Sequence, residues 1–378
     1  ITSLHIANKI INDCKGKVSI IVGGIPCQSF SLIGPRSGLG KKIEKFKIDK
    51  RDTLYEHFKD IVVEIKPKII VIENVKGILS KKDRNGSLII NKLLSDFEEI
   101  GYNFENKKNN LKYMLLNCAD YGVPQKRERV IIIGIKKSWK NIKAPYVYPS
   151  HFNPYLKNFK EQRENGLIPY VTLWEAIGDL PCVIPRITST GLTKNTLIRI
   201  KNKNKNIYRG EDEVNINIKN YKNHLNNISS SGKLFFKHIR PNGYKFINHH
   251  VARSQQLSDI KLFSLMKKGE TAKDFMQRAP KKAKKLIKYN MNSFLDKYRK
   301  QNSNKPCTTV FAHLEKDGNR FIHYEQPRTL TPREVARVQS FPDDFLFCGP
   351  VSKKYKQIGN AIPPLLSKAI AETVAKIL

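Results

Sequence analysis

A continuous apolar run near the start of the chain leads directly into a cysteine. Residues 18–25 are aliphatic or glycine apart from one serine, and Pro26 and Cys27 follow them. Such a run predicts a fully buried strand, and Gly23 and Gly24 permit a sharp exit that presents Cys27 on a loop. Reactive groups collect at this edge of an open α/β sheet. An isolated cysteine is more often a buried structural thiol, so the rest of the chain must decide its role.

Strand and helix patterns alternate through the first half of the chain. A helical stripe of apolar residues follows Asp52 and stops before Pro67, and a second apolar run from Ile69 ends at Glu73. The later segments are a helix that Ser87 caps and Gly101 stops, and strands at 113–116 and 129–135. This order predicts an α/β fold with a mostly parallel sheet and helices on both faces.

The second half of the chain is less regular. Residues 186–300 are rich in Lys, Asn and Ile, and residues 194–227 are close to a low-complexity sequence. This composition favours a mobile basic loop or an insertion there. The clearer segments are a helix introduced by residues 248–254, a β-hairpin from Cys307 to Tyr324 through Asp317 and Gly318, a helix capped by Thr331, and an amphipathic helix after Pro364.

The charge of the chain favours a polyanionic partner. There are 69 Lys and Arg residues against 33 Asp and Glu, which gives a formal net charge of +36. Nucleic acid is the first candidate for such a partner. A sequence rich in Lys, Asn and Ile can also owe part of its charge to AT-rich coding. The charge therefore supports a DNA-binding role only alongside other observations.

Several classes of protein are disfavoured. The six cysteines form no CxxC pair and no cluster with histidine, which argues against a zinc site or a disulfide framework and fits a reducing cytoplasm. No apolar run reaches about 18 residues and no charged-then-apolar leader opens the chain, so the sequence supports neither membrane insertion nor secretion. We expect a cytoplasmic protein with no metal site.

Three polar motifs follow predicted strands and stand in a characteristic order. They are Pro26-Cys27-Gln28, Glu73-Asn74-Val75 and the run from Gln125 to Arg129. In this order and spacing they resemble the DNA cytosine-5 methyltransferases. The likeness continues through residues 328–343 and 357–363, so it spans nearly the whole chain.

The resemblance implies a domain organisation. Residues 1–185 would form a catalytic domain with the Rossmann-like class I methyltransferase fold, truncated at its N-terminus. Residues 186–326 would form a smaller, basic target-recognition domain of mixed α+β structure. A hinge and a helix typical of the family would occupy residues 327–354, and residues 355–378 would return to the catalytic domain as a C-terminal helix.

The resemblance also assigns catalytic roles. In the family a thiolate adds to carbon 6 of cytosine, and carbon 5 then attacks the methyl group of S-adenosylmethionine; Cys27 would be this nucleophile. Glu73 would hold a proton for N3 of the ring. Arg129 would contact the flipped base and position Glu73, while Arg127 would support that site or the backbone. In an extended strand Glu128 would point away from both arginines.

Other positions match family contacts with the cofactor and with DNA. Pro26, Leu54 and Asn360 would contact S-adenosylmethionine. Gln28 and Ser31 would touch DNA as the glycine-rich, basic loop after Cys27 closes. The target cytosine must leave the duplex before carbon 6 can be attacked. The basic middle of the chain would hold the duplex by its phosphates.

One family element is absent from the sequence. The Phe-x-Gly-x-Gly turn that cradles S-adenosylmethionine is missing, as is the acidic residue that follows it, and Ile1 aligns with the tail of the third family element. We therefore expect the first strands of the sheet to be missing. Our hypothesis is that this chain is one piece of a split or truncated enzyme. A separate polypeptide would then supply the missing strands.

The sequence thus predicts the modification methyltransferase of a restriction-modification system, with a cognate endonuclease acting on the same duplex DNA site. Two alternatives remain open. A cytosine-5 methyltransferase acting on transfer RNA uses the same thiol chemistry, but the long segment between Pro181 and Arg328 disfavours it. A catalytically inactive DNA-binding remnant is disfavoured because the chain retains Cys27, Glu73 and Arg129.

Overall fold

A computed structural model describes most of the chain as two compact units. The described residues are 4–25, 54–83, 85–156, 159–188, 213–215, 217–240, 246–287 and 297–378. The first unit takes its described residues from Ile1–Asn117, Glu128–Tyr148 and Ile370–Leu378, and the second from Cys118–Arg127 and Pro149–Ala369. The four predicted domain ranges stay a prediction.

The first unit contains a five-stranded sheet. Its strands are β1 (Ile20–Gly24), β2 (Ile69–Val75), β3 (Tyr102–Asn103), β4 (Met114–Asn117) and β5 (Glu128–Lys136). They lie in the order β1-β2-β5-β3, with β4 also paired to β5. The helices of this unit are α1 (Leu4–Cys14), α2 (Leu54–Ile65), α3 (Ile89–Glu99) and a short 3-10 helix at Lys76–Leu79. The predicted α/β class is confirmed.

The described sheet is mixed in strand direction. β1 and β2 are parallel, and the chain between them includes the crossover helix α2. β5 is antiparallel to β2, β3 and β4. The connection from β4 to β5 is residues 118–127, of which Cys118–Tyr121 form a 3-10 helix. A parallel pair needs a crossover of about a dozen residues or more, so this short connection returns the chain in the opposite direction.

The core of the first unit lies between the sheet and two helices. Val62 of α2 and Phe97 of α3 pack with Ile70, Ile72 and Ile132 of the sheet. Both helices confirm the apolar stripes in the sequence. The predicted cap is wrong by one residue: α3 begins after Leu88, while the Ser87 N–H bonds the Asp83 carboxylate. Gly101 ends the helix with φ of 92°, a conformation that favours glycine.

The expectation of a fully buried first strand is wrong. Val22 is 65% exposed, because β1 stands at the end of the strand order and pairs only with β2 among the described residues. The two glycines also act differently from the prediction, since both lie inside β1. A Cβ atom at Gly23 would lie 2.6 Å from the ring of Phe58 on α2. Gly23 therefore allows close packing of α2 on the strand rather than a turn.

The second unit is mostly helical. Its helices are α4 (Phe159–Glu164), α5 (Leu173–Ile177), α6 (Ile218–Asn227), α7 (Ser230–Ile239), α8 (Leu257–Leu265), α9 (Ala272–Arg278), α10 (Pro280–Leu286), α11 (Pro332–Val338), α12 (Val351–Asn360) and α13 (Pro364–Ala375), whose last residues belong to the first unit. Two small sheets pair β6 (His151–Phe152) with β7 (Ile168–Pro169) in parallel and β8 (Glu213–Asn215) with β9 (Phe246–Asn248) antiparallel. Residues 189–212, which include the first part of the low-complexity region, lie outside the described residues.

One sequence expectation in this unit is wrong, and another is confirmed. The predicted hairpin is replaced by 3-10 helices at Ala312–Glu315 and Asn319–Phe321. Gly318 has φ of −99°, whereas an Asp-Gly hairpin turn needs a positive φ, and the Asp317 carboxylate instead accepts the Asn319 N–H. The helix predicted after residues 248–254 is confirmed, since Asn248 ends strand β9 and α8 begins at Leu257.

Helix α11 lies in a fully buried network of charges. The predicted capping box is confirmed, since the Thr331 side chain accepts the Glu334 N–H and the Glu334 carboxylate accepts the Thr331 N–H. Arg337 Nε donates to Asp343 at 2.8 Å and also pairs with Asp179. Burial alone would raise the pKa of Asp179, but Arg337 and Arg240 hold it below its ordinary value. Removing one partner from such a pair costs about 3–5 kcal/mol.

Among the described residues, no helix is both long and apolar enough to cross a membrane.

The close approach of Phe58 to β1 gives a stability prediction with a matched control. We expect Gly23→Ala to lower the free energy of unfolding by about 1–3 kcal/mol, because the new methyl group must displace the ring. Gly24→Ala should change it by less than about 1 kcal/mol, since a Cβ atom there meets only Glu73 Oε2 at 3.7 Å. Urea denaturation of both variants measures this difference. Equal midpoints for the two would contradict the packing described for Gly23.

Candidate active site

The register of β2 and β5 brings two predicted site residues together. Val75 lies opposite Arg129, and Glu73 lies opposite Ile131, so Glu73 is the diagonal neighbour of Arg129. Diagonal residues of an antiparallel pair share a face and are within reach of long side chains. Arg129 Nε lies 2.7 Å from Glu73 Oε1, and the two side chains are only 11% and 14% exposed. The end of β2 therefore carries a largely desolvated ion pair.

The chain segment that leads to Cys27 passes beside this carboxylate. Gly24, the last residue of β1, is the register partner of Glu73. A Cβ atom at Gly24 would lie 3.7 Å from Glu73 Oε2. Oε1 thus binds Arg129, and Oε2 lies on the side of β1. Ile25 is buried and is the last described residue before the Pro-Cys dipeptide.

Several predicted site residues lie outside the part of the chain that the structure describes. These are Pro26, Cys27, Gln28 and Ser31. Leu54 is the first residue of α2, and only its backbone is described. The roles predicted for these residues remain predictions.

The neighbours of Glu73 differ sharply in their surroundings. Asn74 is fully buried, and its Oδ1 accepts the Val75 N–H at 2.9 Å. Its Nδ2 has no hydrogen-bond partner among the described residues. Lys76 and Glu128 instead form an exposed pair at 3.0 Å. The motif Glu73-Asn74-Val75 included Asn74 without assigning it a role, and only the structure reveals its fully buried amide beside the ion pair.

Arg127 lies in the second unit and binds backbone. It is 2% exposed, and its guanidinium donates to the carbonyls of Val310, Gly359 and Ala361. The last two carbonyls flank Asn360, the exposed final residue of α12. The surroundings of Arg127 are thus those of an arginine that orders a helix end. Its predicted catalytic role stays a prediction.

Two buried glutamines join the same helix end and were missed in the sequence. Gln125 Nε2 donates to Gln339 Oε1 at 2.8 Å, and Gln339 Nε2 donates to the Ile358 carbonyl at 2.7 Å. Both belong to motifs that the resemblance already covered, Gln125 at the start of the run to Arg129 and Gln339 after α11. Only their burial shows that they act as a pair.

Two buried thiols and one buried histidine among the described residues are poor candidates for the chemistry. Cys118 and Cys307 are buried, and burial raises the pKa of the Cys307 thiol to about 12. Burial lowers the pKa of His250 to about 4, and its ring nitrogens bond Thr331 and the Pro181 carbonyl. These groups are structural. The described residues contain no cluster of His, Cys, Asp or Glu that could hold a metal ion.

Comparison with known proteins decides the family. The family model for C-5 cytosine-specific DNA methylases matches residues 3–376. The chain belongs to this family. Its predicted enzyme class, DNA (cytosine-5) methyltransferase, is confirmed by this match and by its relatives.

Relatives of this methyltransferase cover nearly its whole length. M.OihORF3336P of Oceanobacillus iheyensis, provisionally named a type II methyltransferase, is 32% identical over 98% of this chain and 82% of that protein. The type II methyltransferase M.Bpa9945I of Bacillus paralicheniformis is 31% identical over 96% of this chain and 71% of that protein.

A solved structure supports the fold. It is a protein of Escherichia coli, provisionally named a prophage-encoded DNA modification methyltransferase, with a TM-score of 0.60 and 21% identity. The match covers 98% of this chain and 82% of that one. At this identity the likeness shows the fold alone, and it confirms the class I methyltransferase architecture.

The ion pair at the end of β2 can be compared with an exposed pair beside it, formed by Lys76 and Glu128. A double-mutant cycle on Glu73→Gln and Arg129→Gln should give a coupling energy of about 0.5–3 kcal/mol. The exposed pair, Lys76 and Glu128, should give less than about 1 kcal/mol and lose it at high salt. Urea denaturation at low and high salt measures both couplings. Equal, salt-sensitive couplings would contradict the burial of the first pair.

Proposed function

We propose that this enzyme transfers a methyl group from S-adenosylmethionine to carbon 5 of a cytosine flipped out of a specific duplex DNA site. The observation that carries the proposal is the largely desolvated pair of Glu73 and Arg129 at the end of β2. It occurs in a chain that the cytosine methylase family model covers at residues 3–376. The relatives M.Bpa9945I, M.AgeI and M.DdeI are named type II methyltransferases, which supports a role in restriction-modification.

The cofactor assignment is supported by one described contact residue. Asn360 ends α12 with an exposed side chain, so a polar ligand group can reach its amide. Pro26 and Leu54 would complete the contacts that the family resemblance assigns. When bound, S-adenosylmethionine supplies the electrophilic methyl group.

The protein's own residues would prepare the base. The Cys27 thiolate forms a bond to carbon 6, and the negative charge that this adds to the ring is neutralised by a proton donated to N3. We assign that proton to Glu73, with Arg129 fixing the orientation of its carboxyl group. After methyl transfer to carbon 5, the carbon 5 proton would pass to solvent, the carbon 6–sulfur bond would break and N3 would return its proton to Glu73. These changes would restore the aromatic ring, the thiolate and the protonated acid.

The arrangement of Glu73 suits this assignment. Arg129 Nε lies at Oε1, and the Gly24 end of β1 lies at Oε2. The carboxyl group is therefore fixed on one side and presented toward the strand that continues to Cys27. Positioned acids that contact the reacting ring contribute roughly 10²–10⁴-fold to such reactions. Fixing the rotamer of Glu73 is thus the contribution that we assign to Arg129.

The binding of DNA would depend strongly on salt. The net charge of +36 provides many cations to replace the counterions of the phosphates. Extrusion of the cytosine costs a few kcal/mol, which these phosphate contacts would offset. We place the enzyme in the cytoplasm, with a restriction endonuclease that cuts the same site when it is unmethylated.

A separate polypeptide that adds strands to the sheet is part of the proposal. β1 pairs only with β2 within the described part of the chain, and Val22 on it is 65% exposed. The unpaired N–H and C=O groups of such an edge are a template for another strand. Robust methylation by this chain alone would contradict this part of the proposal.

Methyl transfer to DNA tests the proposed reaction. The purified protein, with labelled S-adenosylmethionine, should label duplex DNA and leave transfer RNA unlabelled. It should do so with the strand polypeptide added and only weakly without it. Methylation-sensitive sequencing of host DNA should place the mark at carbon 5 of cytosine in one sequence context. Labelling of transfer RNA, or DNA binding without transfer under either condition, would contradict the proposal and favour one of the two alternatives.

Substitution of the proposed nucleophile tests the mechanism. We expect Cys27→Ser to abolish methyl transfer and to change the dissociation constant for duplex DNA by less than about threefold, because phosphate contacts dominate binding. The matched control is Cys182→Ser, which alters an exposed cysteine in the second unit and should leave both properties unchanged. Filter binding and methyl transfer measure the two properties. A parallel loss of binding and transfer in Cys27→Ser would contradict the assignment.

A further inference from the structure

The C-terminal end of α12 is capped by buried side chains rather than by water. The last carbonyls of a helix have no partner within the helix and must be satisfied by other groups. Gln339 Nε2 donates to the Ile358 carbonyl at 2.7 Å, and Arg127 donates to the carbonyls of Gly359 and Ala361, each at 3.1 Å. The capping groups thus hold the carbonyls on both sides of Asn360.

The capping side chains are themselves fixed. Gln125 Nε2 donates to Gln339 Oε1 at 2.8 Å, and Gln125 Oε1 accepts the Val310 N–H at 2.6 Å. Arg127 donates a further hydrogen bond to the Val310 carbonyl. Val310 therefore bonds both side chains through its two backbone groups. We call Gln125, Arg127 and Gln339 the α12 cap; all three are at most 2% exposed.

The fit at this helix end leaves no space for a side chain at Gly359. A Cβ atom on Gly359 would lie 2.5 Å from both the nitrogen of Ala312 and the carbonyl carbon of Phe311. These are backbone atoms, which cannot move aside as a flexible side chain can. The chain at 311–312 and the α12 cap therefore enclose the turn, whereas the Asn360 side chain is exposed. The positive charge of Arg127 also suits the negative end of the helix dipole.

We propose that Gln125, Arg127 and Gln339 are positioning residues for S-adenosylmethionine, which act by holding the turn that presents Asn360. This inference rests on the proposed function, because Asn360 is the cofactor contact assigned there. It separates the two arginines of the Gln125–Arg129 run by role. Arg129 serves the carboxylate that contacts the base, and Arg127 serves the cofactor through the backbone of α12.

The chemistry of the cap makes Arg127→Lys a sharp test. Lysine keeps the charge, but a single ammonium group cannot match the planar fork that reaches the carbonyls of Val310, Gly359 and Ala361. We expect amide hydrogen exchange at residues 355–361 to accelerate about tenfold, because the last turn of α12 can then fray. Exchange in β2 should not change.

Kinetics and binding then separate positioning from a general structural role. Arg127→Lys should raise KM and Kd for S-adenosylmethionine about tenfold, the size of effect seen when a group that supports a metal ligand is removed. The kcat and the KM for DNA should stay within about twofold of the wild-type values. Asn360→Ala should reproduce the change in Kd, and Gln125→Glu should resemble Arg127→Lys. The control, Arg278→Lys, alters an arginine that pairs with Glu270 and donates to the Leu265 carbonyl. It should match the wild type.

Three results would overturn the inference. The first is a wild-type rate of amide exchange at residues 355–361 in Arg127→Lys. The second is a fall in kcat of Arg127→Lys with an unchanged KM for S-adenosylmethionine. The third is failure of the wild-type protein to bind S-adenosylmethionine when the strand polypeptide is present. Failure of the proposed function gives a different pattern. In that case the wild type transfers no methyl group to DNA, while the cofactor still binds and the variants still weaken that binding.

Discussion

The antiparallel pairing of β2 with β5 is the constraint on which the candidate site depends. Its register makes Glu73 the diagonal neighbour of Arg129, and the 2.7 Å ion pair follows from that geometry. A slip of one residue would send every side chain of the strand to the opposite face. The buried aliphatic run of β2 opposes such a slip, since Ile69, Ile70 and Ile72 are fully buried. The hydrophobic core thus determines the position of a polar site.

Buried ion pairs fix the position of a helix in the second unit. Arg328 and Glu334 pair at 2.7 Å with both side chains 1% exposed, and Arg337 joins Asp179 and Asp343 without contact with solvent. Breaking a buried pair by removing one partner is strongly destabilising, so this network fixes α11 firmly. Gln339 follows α11 directly, and it reaches the end of α12 from that fixed position. The order of the turn at Asn360 therefore depends on charges in a different part of the second unit.

Much of the fold could be predicted from periodicity and from end signals. The stripes of α2 and α3, the run of β2 and the capping box of α11 each reflect local chemistry, and the structure confirms them. The errors arise where tertiary context decides. Val22 is exposed because of strand order, which hydrophobicity cannot reveal. The Asp317-Gly318 turn fails as a hairpin because the aspartate bonds the next helical turn instead.

The candidate site was predictable in kind but only partly in arrangement. The family resemblance indicated Glu73 and Arg129 as partners, and an extended strand suggested one face for Arg127 and Arg129. The structure instead assigns Arg127 to the second unit, where it binds carbonyls, because a buried guanidinium requires several acceptors. The roles of Gln125 and Gln339 could not be predicted, because they arise from contacts between segments more than 200 residues apart in the chain.

Covalent trapping tests the central claim most directly. Duplex DNA that carries 5-fluorocytosine at the recognised site should form a stable adduct with the protein when S-adenosylmethionine and any required strand partner are present, because the fluorine at carbon 5 blocks the final elimination. Digestion and mass spectrometry of the adduct should identify the peptide that contains Cys27 as the point of attachment. An adduct at another cysteine, or methylation of ordinary DNA without any adduct, would contradict the account.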